Sequence, residues 1–181
     1  MPGDGSLPMG TLTMNIFATS PDPTLSACTL ADRHVVKMVI ETAQMLSAAI
    51  LYHDDSVSGL YRATHVNHPC SVWVRSSQRS FLWTVAHGIS LADEYEKRYK
   101  KQHKSKAIIE LCAKYVSIFP DVDMPKFAMA MPEEYKCDDP HVAYQNYLRS
   151  KYTAWGDKAR WTSATVPLWI IPEKNLTHAQ A

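Results

Sequence analysis

The sequence contains no pair of cysteines at CxxC spacing, no glycine-rich phosphate loop, no G-x-S-x-G elbow and no H-E-x-x-H. These absences remove the usual zinc frameworks, the phosphate-loop enzymes, the serine-hydrolase elbow and the zinc proteases from consideration. Cys28, Cys70, Cys112 and Cys137 are widely spaced, which predicts free thiols rather than a disulfide framework. No run approaches the roughly 18 apolar residues that span a bilayer, and no basic segment leads into an apolar one at the start. No membrane partner is therefore expected. Charge of one sign is also lacking: 19 Lys+Arg stand against 18 Asp+Glu, a formal +1. Such totals give no global field for a polyanion but leave room for a local patch. Alternating strand patterns are nearly absent, and there is no internal repeat.

What is present has helical spacing. A chain of 181 residues is long enough for one domain with its own core. The expectation is an all-α fold, a single compact domain of four to five helices with long irregular connections over residues 14–171. Residues 1–13, MPGDGSLPMGTLT, read as a disordered leader and residues 172–181 as a flexible tail, with Met14 a plausible true start. A first helix is expected from Thr24 or Leu30, and another runs to about Tyr52. A long helix follows His68-Pro69 and is bent or divided at Gly88. A short helix covers about 105–115, and one over 141–155 has Asp138 or Asp139 as N-cap.

The most informative stretch is LADRHVVKMVIETAQMLSA, residues 30–48. At 100° per residue, His34, Lys37, Glu41 and Gln44 share an arc of about 80°. Val35, Val39, Leu46, Ala49 and Ile50, with Val36, Ile40 and Ala43, form a broad apolar side for burial. An acid, an amine and an imidazole along one stripe suit acid–base or nucleophilic chemistry. The same stripe also fits an exposed face with a Lys37–Glu41 pair worth roughly a few tenths of a kcal/mol.

The next stretch is YRATHVNHPCSVWVRSSQR, residues 61–79. Thr64, His65, Asn67 and His68 crowd a loop at a helix entry, while Arg75 and Arg79 are expected one turn apart on that helix. Paired guanidinium groups and helix N–H groups suit phosphate, although a polar capping loop has the same composition. His65, His68 and Cys70 are too close together for a standard zinc framework, so no metal or cofactor is expected. Lys97, Arg98, Lys100, Lys101, Lys104 and Lys106 form a basic cluster with His103, partly offset by Asp93, Glu94 and Glu96. It fits either a solvated helix end or a phosphate-backbone contact. Most of the aromatics are expected in the core.

The segment Leu30-Ala31-Asp32-Arg33-His34-Val35-Val36, followed by Glu41, resembles the catalytic helix of the phage pyrimidine-dimer DNA glycosylases of the endonuclease V type. In that family an L-A-D-Q-H-L segment precedes, at matching spacing, the glutamate essential for glycosidic cleavage. Asn67-His68 is similar to the family's G-H step. MNIF, DRHVVKMVIETAQMLSAA, THVNHPCSVW and PEEYKCDDPHVAYQNY also resemble a family of largely uncharacterised phage and prophage proteins.

The resemblance implies a DNA N-glycosylase-like enzyme acting on a damaged or modified nucleotide. Its partner would be DNA, and its place the cytoplasm, the host's if phage-encoded. Glu41 would be the catalytic carboxylate, with His34 and Lys37 beside it. Gln44, His65, Asn67, His68, Arg75 and Arg79 would bind substrate. Those glycosylases attack the sugar with the α-amine of an N-terminal threonine, which is not found here, so either Glu41 activates water or Lys37 supplies the amine. Two alternatives remain: an enzyme acting on a free nucleotide or nucleotide-derived signal, and a non-enzymatic, nucleotide-binding phage counter-defence protein. The oligomeric state is not legible.

Overall fold

Helix boundaries follow from caps written in the sequence. The computed structural model describes residues 14–171; the leader and tail expected at 1–13 and 172–181 lie outside the described residues. Asp22 accepts from the N–H groups of Thr24 (2.7 Å) and Leu25 (2.9 Å), and Pro23 opens α1, Pro23–Cys28. The chain then turns at Thr29–Ala31 and restarts as α2, Asp32–His53. His68 Nδ1 accepts from Cys70 N–H (3.2 Å) and Pro69 opens α3, Pro69–Val74. Ser77 Oγ accepts from Ser80 N–H (3.0 Å) at the start of α4, Gln78–Tyr99. Next comes α5, Lys106–Ala113. Asp139 and Pro140 begin α6, Pro140–Trp155. Among the described residues there are six α-helices, short turns of tighter helix and no strand, which is the all-α architecture the spacing predicts.

The helix after His68-Pro69 does break, but at residues 75–77 rather than at Gly88. A helix can restart there because Ser77 has an extended backbone and a capping hydroxyl. Gly88 instead lies inside α4, where a Cβ would stand 2.7 Å from Thr42 Cγ2 and 2.9 Å from Ile109 Cδ1. Glycine here permits the close approach of α2, α4 and α5, which outweighs its poor helix propensity.

Helix α2 is central. Val35, Met38, Val39, Ala43, Met45, Leu46, Ala49 and Ile50 are buried along it. Each large apolar side chain fully buried this way contributes about 1.5–3 kcal/mol. Val36 and Ile40, expected to be buried, are 41% and 40% exposed, because no helix among the described residues packs over their side chains.

By length and composition α2 is apolar enough to cross a membrane, with a window of mean hydropathy 1.4, contrary to the expectation that no run comes close. It is packed here as a core helix. All four cysteines are free, as expected.

At its N-terminal end α2 is clamped by Arg98, whose side chain is fully buried. The guanidinium donates to the carbonyls of Leu30 (2.9 Å) and Cys28 (3.2 Å), to Asp32 Oδ1 (3.0 Å) and to Glu94 Oε2 (3.0 Å from Nε). Asp32 also accepts from Thr162 N–H (3.0 Å) and Thr162 Oγ1 (2.7 Å), and its own N–H donates to the Arg160 carbonyl (2.8 Å). One network therefore joins α2, α4 and the C-terminal segment.

Candidate active site

Two turns further along α2 lies a carboxylate that is buried without being saturated. Glu41 is 5% exposed. Lys37 Nζ stands 2.8 Å from Glu41 Oε1, while the lysine side chain is 57% exposed. The direction of that contact is poor for a hydrogen bond, so Oε1 is buried without a well-directed donor among the described residues. The Asn15 backbone N–H also donates to the carboxylate, and His65 acts on it electrostatically. Glu41 therefore sits where α2, the N-terminal segment and the 60–68 loop converge.

The backbone around this point is strained. Phe17 has φ 40° and His65 φ 51°, both left-handed and neither glycine. For a bulky residue such as Phe this conformation is an outlier, one of a kind that collects at functional sites. Asn15 holds the first of these bends. Its Oδ1 accepts from the N–H groups of Ile16 (2.8 Å) and Phe17 (3.0 Å), and its Nδ2 donates to the Ala130 carbonyl (2.7 Å).

Burial raises the Glu41 pKa above the ordinary carboxylate value, opposed by the Lys37 ammonium and the Asn15 N–H. The outcome is a carboxylate more basic than usual with a cation at its outer edge, suited to taking a proton from water or to facing positive charge on a substrate. His68 complements it. Because its Nδ1 is used as a cap acceptor, its proton resides on Nε2, which is buried with no partner among the described residues. Burial lowers the His68 pKa, so this ring is a neutral N–H donor.

Of the residues singled out in the sequence, Lys37, Glu41 and His65 come together, with His68 next to His65. Gln44 follows one turn later, half-buried and making no hydrogen bond to the described residues; Asn67 is exposed in the loop.

His34 does not fit a proton donor's role. It lies about 10 Å back along α2 from Glu41, 5% exposed, and packs on Phe17 and Trp155. Its Nδ1 pairs with Tyr152 Oη at 2.7 Å. Burial, with the charges of Lys151, Lys37 and Arg33, pushes its pKa down to about 3. It is a neutral core group.

Nor do Arg75 and Arg79 form a fork, because the break at 75–77 separates them. Arg75 stacks over Tyr52 at 4.2 Å and donates to the Val66 carbonyl. Tyr52 lies about 16 Å beyond Glu41 along α2. Arg79 pairs with Asp123 at 2.7 Å in the open.

Cys70, near Glu41, has its thiol pushed up to about 12 by burial, so it remains protonated. Asn15 and Phe17 were missed by the sequence reading. The available signal was the MNIF segment, whose place next to the carboxylate no helical period reveals.

The domain is all-helical, and its central helix carries a buried carboxylate beside a half-exposed amine. The family model for pyrimidine dimer DNA glycosylase matches residues 14–107, just over half of the chain. The chain belongs to that family. No curated protein and no solved structure matches it.

Proposed function

We propose that this protein is a DNA glycosylase that cleaves the N-glycosidic bond of a damaged or modified nucleotide, with Glu41 as its catalytic carboxylate. The observation that carries the reading is the Glu41–Lys37 pair, a buried carboxylate 2.8 Å from an amine and lacking a well-directed donor on Oε1. Membership of the glycosylase family supports it.

As the C1′–N bond breaks, the base leaves with the bonding electrons and the sugar becomes cationic. The Glu41 carboxylate faces that charge and stabilises it. His68 Nε2–H is the donor that would serve the departing base, and Gln44, His65 and Asn67 the groups around the sugar. In the water route, Glu41 takes a proton from water as the oxygen bonds to C1′, leaving free base and an abasic site. In the amine route, Glu41 takes a proton from the Lys37 ammonium, the freed Nζ bonds to C1′ as the base leaves, and ring opening moves a proton from that nitrogen to O4′, leaving an imine. The Asn15 backbone nitrogen is the second amine candidate. It already contacts the carboxylate and would become a primary amine if processing made Asn15 the first residue.

The test is borohydride trapping on abasic and modified-base duplexes, with mass spectrometry of the adduct. An adduct on Lys37 or Asn15 identifies the amine, and free base without trapping assigns water. Glu41→Gln should lower base release by at least about 1,000-fold, equivalent to about 4 kcal/mol of barrier, with duplex binding retained. Full turnover in that variant excludes the carboxylate. Tight mononucleotide binding without duplex affinity would transfer the function to a free nucleotide.

A further inference from the structure

The basic cluster at the end of α4 is sorted by the fold into two groups. Arg98 is buried in the Asp32 network, Lys97 pairs with Glu94 at 3.3 Å, and Lys106 pairs with Asp93 at 2.8 Å. Lys100, Lys101 and Lys104 are exposed and form no ion pair with the described residues. The loop that carries them is not a loose helix end. Lys100 reverses the chain at φ 58°, His103 Nδ1 accepts from Ser105 N–H (3.1 Å), and the His103 ring packs edge-on against Tyr95 (4.8 Å). With Nδ1 used as acceptor, the proton lies on Nε2, and the ring bonds the Val36 carbonyl of α2.

His103 thus pins the lysine loop to the side of α2 where Val36 and Ile40 are exposed, on the helix that carries Glu41. Around α2, Val36 is followed by Ile40, then Lys37, then the buried edge at Glu41. Val36 and Ile40 are the two exposed apolar residues between the loop and the site. Arg33 is exposed on the same face, its guanidinium 5.3 Å from the Trp155 ring centroid. A recess of about 340 Å³ beside the loop is lined by Gln102, Lys104 and Lys106 among others. The acidic groups acting on Lys106 at this edge are Asp93, which pairs with it, Glu110 and Glu96.

We propose that the loop bearing Lys100, Lys101 and Lys104, seated on the outer face of α2, is a phosphate rail for duplex DNA. On this arrangement Val36 and Ile40 meet the sugar edges of the groove between the rail and Glu41. The proposal rests on the glycosylase reading and adds to it where the duplex lies. Cations flanking an apolar strip are what a nucleic-acid groove requires, since phosphates fix register while apolar groups meet sugar and base edges. The rail carries no sequence information, so its contribution is to affinity and salt dependence.

The test compares the double variant Lys101→Glu/Lys104→Glu with Lys114→Glu/Lys126→Glu, which changes net charge equally at exposed lysines elsewhere. Affinity for a labelled duplex is measured by anisotropy from about 50 to 200 mM salt. The rail variant should lose at least tenfold in affinity at the lowest salt, with a logarithmic salt slope shallower by about two. The control should change less than threefold. His103→Ala, which keeps all three lysines but frees the loop, should show an intermediate loss with unchanged helical circular dichroism. Equal losses in both double variants, no loss in the rail variant, or no duplex binding by the unaltered protein would overturn the rail. If the rail variant alone loses affinity while the unaltered protein releases no base, the rail stands and the glycosylase reading falls. If base release persists and the rail variant binds normally, the reverse holds.

Discussion

Helix α2 carries two acid–cation pairs that the protein treats in opposite ways. At its start, Asp32 and Arg98 are saturated: the guanidinium reaches two carboxylates and two carbonyls, and the aspartate also receives Thr162. Nine residues on, Glu41 has one half-exposed amine at a poor angle, one backbone donor and a buried oxygen without a directed partner. Removing two charges from water is repaid only when hydrogen bonds occupy their remaining valences. The first pair satisfies that condition and ties three chain segments together. The second does not satisfy it, which is why the proposed chemistry is placed on Glu41 rather than on Asp32.

Breaking the saturated pair should have the largest effect. Arg98→Met deprives Asp32 and Glu94 of their guanidinium and the Leu30 and Cys28 carbonyls of its donors, and should lower stability by about 3–5 kcal/mol, measured as the shift of the urea unfolding curve.

Acid challenges the same end of the helix. His34 is held down to about 3 and His87, fully buried beside Pro23, to about 4, both chiefly by burial. Their folded pKa values lie below the unfolded value of about 6.5. Between those values the unfolded chain binds protons that the folded chain does not. Stability should therefore fall as pH drops from about 6.5 towards 4, by a few kcal/mol in all. Glu41, whose folded pKa is raised, acts in the other direction, since protonation relieves its burial. Urea midpoints at pH 7 and pH 5 should separate clearly for the native protein and less for His34→Phe; equal separations would remove His34 from the account.

Gly88→Ala examines the packing that positions both pairs. The new Cβ would contact Thr42 and Ile109, and overpacking should exceed the helix-propensity gain, for a net loss of about 1 kcal/mol. The smallest stability change is expected at the unsaturated pair. Glu41→Gln should move the melting temperature by less than about 2 °C, because losing a half-exposed ion pair is offset by removing a buried charge. A large fall would make Glu41 a structural group like Asp32.

The helices were legible where local chemistry decides them. Asp139 before Pro140 and His68 before Pro69 state their caps, and the period of α2 placed Lys37 and Glu41 on one stripe. Burial around that stripe was not legible. Val36 and Ile40 are as apolar as their buried neighbours, but no local pattern reveals that none of the described helices packs over their side of α2. His34 shares the stripe, yet Phe17, Tyr152 and Trp155 enclose it from distant parts of the sequence. The pairing expected of Arg75 and Arg79 failed on a single capping serine. Asn15 escaped notice because its contribution is a backbone N–H, which every residue but proline has.

The Asp32 network also reaches beyond the segment that matches the glycosylase family. Thr162 and Arg160 come from the far end of the described chain, and they close the ring around the first turn of α2. A chain cut just after α6 would expose the Asp32 carboxylate to water and loosen the helix at its root, two turns before Glu41. The stretch around Thr162 thus behaves as a keystone: the arch that presents Glu41 is complete only once residues well past the last long helix have settled onto its first turn.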